Sequence, residues 1–155
     1  MERIIIGVTN PDLKNLQEHG ASAHRHTDAA NPFAYEARVK IIKESLAALP
    51  KPETHNIEID VIPFDLTRPE SWNIPEETVF AVRIFSPWEA SKLSLFTDQG
   101  FQTLELPAPA SKLSASDIRL SLAANDSAWK SLVLPEATVT IKKEWDLVTS
   151  LKASA

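Results

Sequence analysis

With 155 residues, 43% of them hydrophobic, 24% charged and 7% aromatic, the chain has the make-up of one soluble globular domain, which excludes a disordered tail or a collagen-like rod. Lys and Arg number 16 against 21 Asp and Glu, a formal net charge of -5, so no broad basic field exists for sequence-independent binding to nucleic acid or anionic lipid. Any polyanionic partner must be small and met by a local cluster. There is no cysteine, which excludes disulfides and thiolate metal sites, and no apolar run approaches the roughly 20 residues of a membrane span. The expectation is a cytoplasmic chain that does not enter the membrane.

The elements follow in chain order. Arg3 to Val8 is a β-branched run ended by Thr9-Asn10-Pro11-Asp12, the pattern of a strand buried on both faces and stopped by a turn. Leu13 to Ala30 shows no periodicity and reads as a long loop carrying His19, His24, Arg25 and His26. Asn31-Pro32 then reads as a helix cap with proline at the first helical position, followed by Phe33, Ala37, Ile41, Ile42, Leu46 and Leu49 at helical spacing up to Pro50.

Ile57 to Ile62, stopped at Pro63, and Thr78 to Ile84 read as strands. Ser86-Pro87 opens a second helix that stops at Gly100, and a short strand, Phe101 to Leu106, follows. Ser114 to Asp117 begins a third helix, and a last helical segment comes after Pro135, with Lys152 to Ala155 as a frayed tail. Alternating strands and helices predict a single α/β domain over 1–155, a parallel sheet with helices on its faces.

Ligands of open parallel sheets sit at the carboxyl ends of strands, where helix N-termini present unpaired N–H groups. Three segments occupy such places. His24-Arg25-His26 offers three potentially cationic side chains to phosphate oxygens, or is a solvated loop that happens to be basic. Asn31-Pro32-Phe33, leading to Glu36 and Arg38, is a second candidate, or a helix cap with surface charges. Lys112, Ser114, Ser116 and Arg119 place hydroxyls at a helix start with a cation on either side, an anion cradle. Ser114 with Asp117 three residues on also fits a capping box, and spacing does not separate the two readings. No metal site is expected from the histidines, which lack a fourth ligand. Three glycines allow neither a P-loop nor a G-x-G-x-x-G turn. Trp72, Trp88, Trp129 and Trp145 are scattered and read as core or subunit-contact packing.

Taken together, Ile4-Ile5-Ile6-Gly7-Val8-Thr9-Asn10, then His24-Arg25-His26 with Asn31-Pro32-Phe33-Ala34-Tyr35-Glu36-Ala37-Arg38, then Ser114-Ala115-Ser116-Asp117-Ile118-Arg119 resemble the nucleotidyltransferase α/β-phosphodiesterase superfamily, in particular its nicotinamide-nucleotide adenylyltransferase-like and cytidylyltransferase-like members. The resemblance implies a Rossmann-like sheet and transfer of AMP or CMP from ATP or CTP, the Asn31-Pro32-Phe33 segment leaning toward adenine-type members, to a phosphate- or hydroxyl-bearing small molecule, with release of pyrophosphate and Mg²⁺ as the accompanying ion. Arg119, Arg25 and His24 are then the candidate catalytic residues. Lys112, Ser114, Ser116, Asn31 and Phe33 are the candidate nucleotide-binding residues.

The family's H-x-G-H loop and first strand would precede Arg3, and neither is present in this chain. In the family's strand order the first strand lies between the strands at Arg3 to Val8 and Val79 to Ile84, so a central gap is expected. Because apolar internal edges left open invite aggregation, either a second copy of the chain or another polypeptide supplies that strand, or the sheet rearranges, or the reading frame was truncated upstream. Two functions of different class follow: a nucleotidyltransferase, active when a strand–HxGH–helix piece is restored by a partner, a symmetric exchange or an upstream extension, or a catalytically incomplete nucleotide-binding or oligomer-building module.

Overall fold

The computed structural model describes residues 2–14, 16, 27, 29–50 and 57–154. The order of elements is β1 (Glu2–Thr9), α1 (Tyr35–Ala47), β2 (Ile57–Phe64), a 3-10 turn (Pro69–Ser71), β3 (Val79–Arg83), α2 (Pro87–Asp98), β4 (Gln102–Leu106) and α3 (Ala115–Ala123). Two more 3-10 turns, Ala128–Leu132 and Pro135–Ala137, lead into α4 (Thr138–Ala153). The result is a mixed α/β fold in which every strand pairing among the described residues is parallel.

Among the described residues one continuous sheet does not form. The four strands make two separate parallel pairs, β1 with β2 and β3 with β4. β1 runs in register from Glu2 opposite Ile57 to Thr9 opposite Phe64, and β3 from Val79 opposite Gln102 to Arg83 opposite Leu106. α1 packs on β1 and β2, and α2 on β3 and β4. Ile4 and Val79 are nonetheless 46% and 47% exposed, so these apolar strands are only partly covered.

Aromatic rings join the two pairs. Phe64, at the end of β2, stacks on Trp72 with centroids 4.8 Å apart, and both rings meet Phe80 of β3, at 6.0 and 5.8 Å. Phe80 stacks in turn on Phe96 of α2 at 3.7 Å and meets Phe101 edge-on at 5.2 Å. Each such contact adds about 0.5–1.5 kcal/mol beyond the area buried. Phe64 reaches this cluster across Gly7, where a Cβ would lie 2.9 Å from the Phe64 Cβ and Cγ.

A second core holds the helices. Leu122, Trp129, Ala137 and Ile141 are buried together, with Phe33, Ile41, Ile118, Val133 and Trp145 packed around them. Trp129 is 2% exposed, and its backbone N–H donates to Ser121 Oγ at 3.0 Å, so the turn that delivers the ring is also pinned. Thr140 of α4 donates to Glu44 of α1 at 2.9 Å.

Three boundaries differ from the sequence reading for physical reasons. Asn31 does not cap α1: its amide donates to the Thr27 carbonyl at 3.1 Å, closing a preceding turn, and the helix begins at Tyr35. Pro63 does not stop β2, which continues to Phe64 because a strand paired on one flank only can accommodate a residue without an N–H. Lys152 and Ala153, within the expected tail, continue α4.

Candidate functional site

The β–α connections converge on a cleft of about 560 Å³. Its walls come from different strand pairs. One wall is Thr9 at the end of β1 with Asn10 just beyond it, Ala30 and Asn31 before α1, and Asp65 to Thr67 beyond β2. The other is Trp88 and Lys92 of α2, with Lys112 to Ser116 and Arg119 on the approach to α3 and in its first turns. The cleft thus opens at the carboxyl ends of the strands, across the break in the sheet, where open α/β folds hold ligands.

Each wall is built locally. After β1 the chain turns through Asn10 at φ 49, a left-handed conformation that asparagine tolerates. Arg38, one turn inside α1, fixes that turn by donating from Nη1 to the Thr9 carbonyl at 2.7 Å and from Nη2 to the Asn10 carbonyl at 2.6 Å. Burial lowers the Arg38 pKa from its ordinary value, opposed by the nearby Tyr35 and Glu36. Beyond β2, Asp65 accepts from the Thr67 N–H at 2.9 Å, from Thr67 Oγ1 at 2.6 Å and from Arg68 Nε at 2.7 Å. Burial opposes the charge on this carboxylate, but those hydrogen bonds outweigh it and hold its pKa below the usual value.

On the facing wall, Ser114 caps α3 by accepting from the Ser116 N–H at 3.2 Å, and Arg119 donates to Ser116 Oγ at 2.9 Å. Ser114, Ser116 and Arg119 therefore form one connected set at a helix N-terminus. Asp117 does not complete a capping box through the Ser114 hydroxyl, which is used by Ser116; its own N–H donates to the Ser114 carbonyl at 3.1 Å. Lys112 donates to Glu89 at 2.9 Å and lies 5.0 Å over the Phe85 ring. Lys92 lies 5.1 Å over the ring of Trp88. Three cations line one cleft in a chain of net charge -5, which suits it to a small, multiply charged anion.

Of the candidates read from sequence, Arg119, Lys112, Ser114, Ser116 and Asn31 line this cleft. Phe33 does not: it meets Trp145 edge-on at 6.5 Å and packs against the helical core. His24 and Arg25 lie outside the described residues. Sequence reasoning gave no binding role to Trp88, Lys92, Asp65 or Thr67 on the cleft, to Glu89 behind it, or to Thr9 and Asn10, although these last two belong to a segment that carries the resemblance. The signal was available for Trp88, which stands directly after a strand end and a Ser-Pro helix start. Among the described residues, no three His, Asp or Glu side chains gather as metal ligands. No described helix is long and apolar enough to cross a membrane.

No family model matches the chain. It is 24% identical over 153 residues to phosphonoformate cytidylyltransferase of Streptomyces viridochromogenes, a match covering 97% of this chain and 80% of that protein. This distant homology, spanning nearly the whole chain, is consistent with a nucleotidyltransferase-like superfamily.

Proposed function

We propose that the chain is a nucleotidyltransferase that takes CMP from CTP, in preference to AMP from ATP, and passes it to a small acceptor bearing a phosphate, phosphonate or hydroxyl group. The observation that carries this reading is the meeting of Lys112, Ser114, Ser116 and Arg119 in one cleft at the strand ends. The choice of CTP follows the cytidylyltransferase relative.

In the proposed reaction an anionic phosphate or phosphonate oxygen of the acceptor, or a hydroxyl oxygen that gives up its proton to solvent water, attacks the α-phosphorus in line. The new P–O bond forms as the bond to the bridging oxygen of the β-phosphate breaks, and pyrophosphate leaves with that electron pair. Charge grows on the leaving group, so cations and N–H donors fixed around the β- and γ-phosphates stabilise the transition state. Arg119, Lys112 and the amides behind Ser114 are the groups for that task. Asp65 is a carboxylate on the cleft whose oxygens already serve Thr67 and Arg68, so Mg²⁺ would enter on the triphosphate, which matches its preference for phosphate oxygens and water over an all-protein cage.

The test is pyrophosphate release from CTP and from ATP across phosphate, phosphonate and hydroxyl acceptors. Turnover with CTP that falls by about 100-fold or more in Arg119→Ala is expected, the scale for losing one transition-state donor. Equal turnover by that variant rejects the assignment of Arg119. Nucleotide binding without turnover on any acceptor rejects the enzyme in favour of a binding module.

A further inference from the structure

Ser86-x-x-Glu89 spells a capping box for α2, and in the structure the two side chains bond to each other. The Ser86 side chain makes no cap hydrogen bond; its hydroxyl instead donates to Glu89 Oε2. The other oxygen, Oε1, accepts from Lys112 Nζ at 2.9 Å, 23 residues along the chain. A carboxylate in the first turn of one helix is thus turned toward the segment that leads into the next.

The pair is unequal. The Glu89 side chain is 11% exposed and that of Lys112 is 45% exposed, so a buried anion anchors a lysine that could otherwise sweep through solvent. The Phe85 ring, from the same β3–α2 connection, lies under the ammonium. Lysine is a point charge on a flexible stem, and its usefulness to a phosphate depends on how much of that freedom is already removed. An anion here also offsets the mutual repulsion of Lys92, Lys112 and Arg119 around one cleft.

We infer that Glu89 is the positioning residue for Lys112: its fixed carboxylate holds the ammonium at the cleft where the β- and γ-phosphates of a nucleoside triphosphate are met. This rests on the triphosphate reading of the cleft. Glu89 itself does not touch the ligand; it acts through Lys112.

The test is calorimetric titration of the full chain with CTP, ATP and magnesium pyrophosphate, in wild type, Glu89→Gln, Lys112→Met and the double variant. Glu89→Gln is expected to bind about 5- to 10-fold more weakly, Lys112→Met at least as weakly, and the double variant no worse than Lys112→Met, the mark of two residues acting as one unit. Unchanged or tighter binding by Glu89→Gln overturns the inference, as does an equal loss in both Lys112 backgrounds, while leaving the triphosphate reading standing. A wild type that binds none of the three probes overturns both. A measurement without ligand complements this: amine acylation of Lys112, followed by mass spectrometry, should be several-fold faster in Glu89→Gln and in Ser86→Ala, the latter serving where the former fails to fold. Equal labelling rates in a folded variant overturn the inference.

Discussion

The Phe64 side chain lies against the backbone of Gly7, with a glycine α-hydrogen where any other residue would place a Cβ 2.9 Å from the Phe64 Cβ and Cγ. The contact is possible because β1 and β2 run in register and Phe64 closes the end of its strand. Gly7→Ala therefore forces Phe64 off β1 and disturbs the rings that join the two strand pairs. A loss of about 1–3 kcal/mol, typical of overpacking, is expected in urea unfolding. Stability equal to wild type would show that Phe64 yields freely.

Arg38 is expected to matter twice. Its planar fork bridges two carbonyls that a lysine, as a point charge, cannot hold together. Arg38→Lys should lose about 1–3 kcal/mol of stability, from hydrogen bonds to a charged group. It should also weaken nucleotide binding at temperatures where the variant is fully folded, because Thr9 and Asn10 form one wall of the cleft. Unfolding curves and calorimetry separate the two effects.

Acid should expose the Glu89–Lys112 pair. Burial of Glu89 raises its pKa, but the Ser86 hydroxyl, the Lys112 ammonium and the N–H of Glu89 itself outweigh that and bring it to about 2, against an ordinary value of 4.5. A carboxylate with a depressed folded pKa lends stability that is complete above its unfolded pKa and lost as pH falls toward the folded one. The melting temperature should fall between pH 4.5 and about 2, and Glu89→Gln should remove part of that slope. An unchanged slope in the variant would mean that other carboxylates, Asp65 among them, dominate.

The flanks of β1 and β3 that face away from their partners carry no strand among the described residues. Two-stranded sheets are marginal by themselves, and apolar edges pair readily. Light scattering is expected to give a solution mass above that of one chain, rising with concentration. Ile4→Lys, placed on the exposed part of β1, should shift the mass toward the monomer. A monomer at all concentrations removes the case for a strand added from a second copy.

The strands could be read from sequence because Ile4 to Val8, Ile57 to Ile62 and Val79 to Val82 are dense in β-branched residues. The start of α1 could not, since Asn31 and Pro32 carry a cap's chemistry while the Asn31 amide is drawn to Thr27 by a local turn. Half of the cleft was also within reach: hydroxyls and cations around Ser114 are close in sequence, and a helix start concentrates N–H donors. Glu89 was not, because its partner lies 23 residues away and local pattern gives no account of pairing across elements. Phe33 misled for the opposite reason. Beside a candidate site in sequence, it is spent on Trp145 in the helical core.

Because the two sides of the cleft belong to different strand pairs, the gap that a bound molecule must span is set at a distance, by how Phe64 and Trp72 seat on Phe80. That aromatic joint is in effect a gauge: thinning one ring would resize the opening and alter affinity with every residue that meets the ligand left in place.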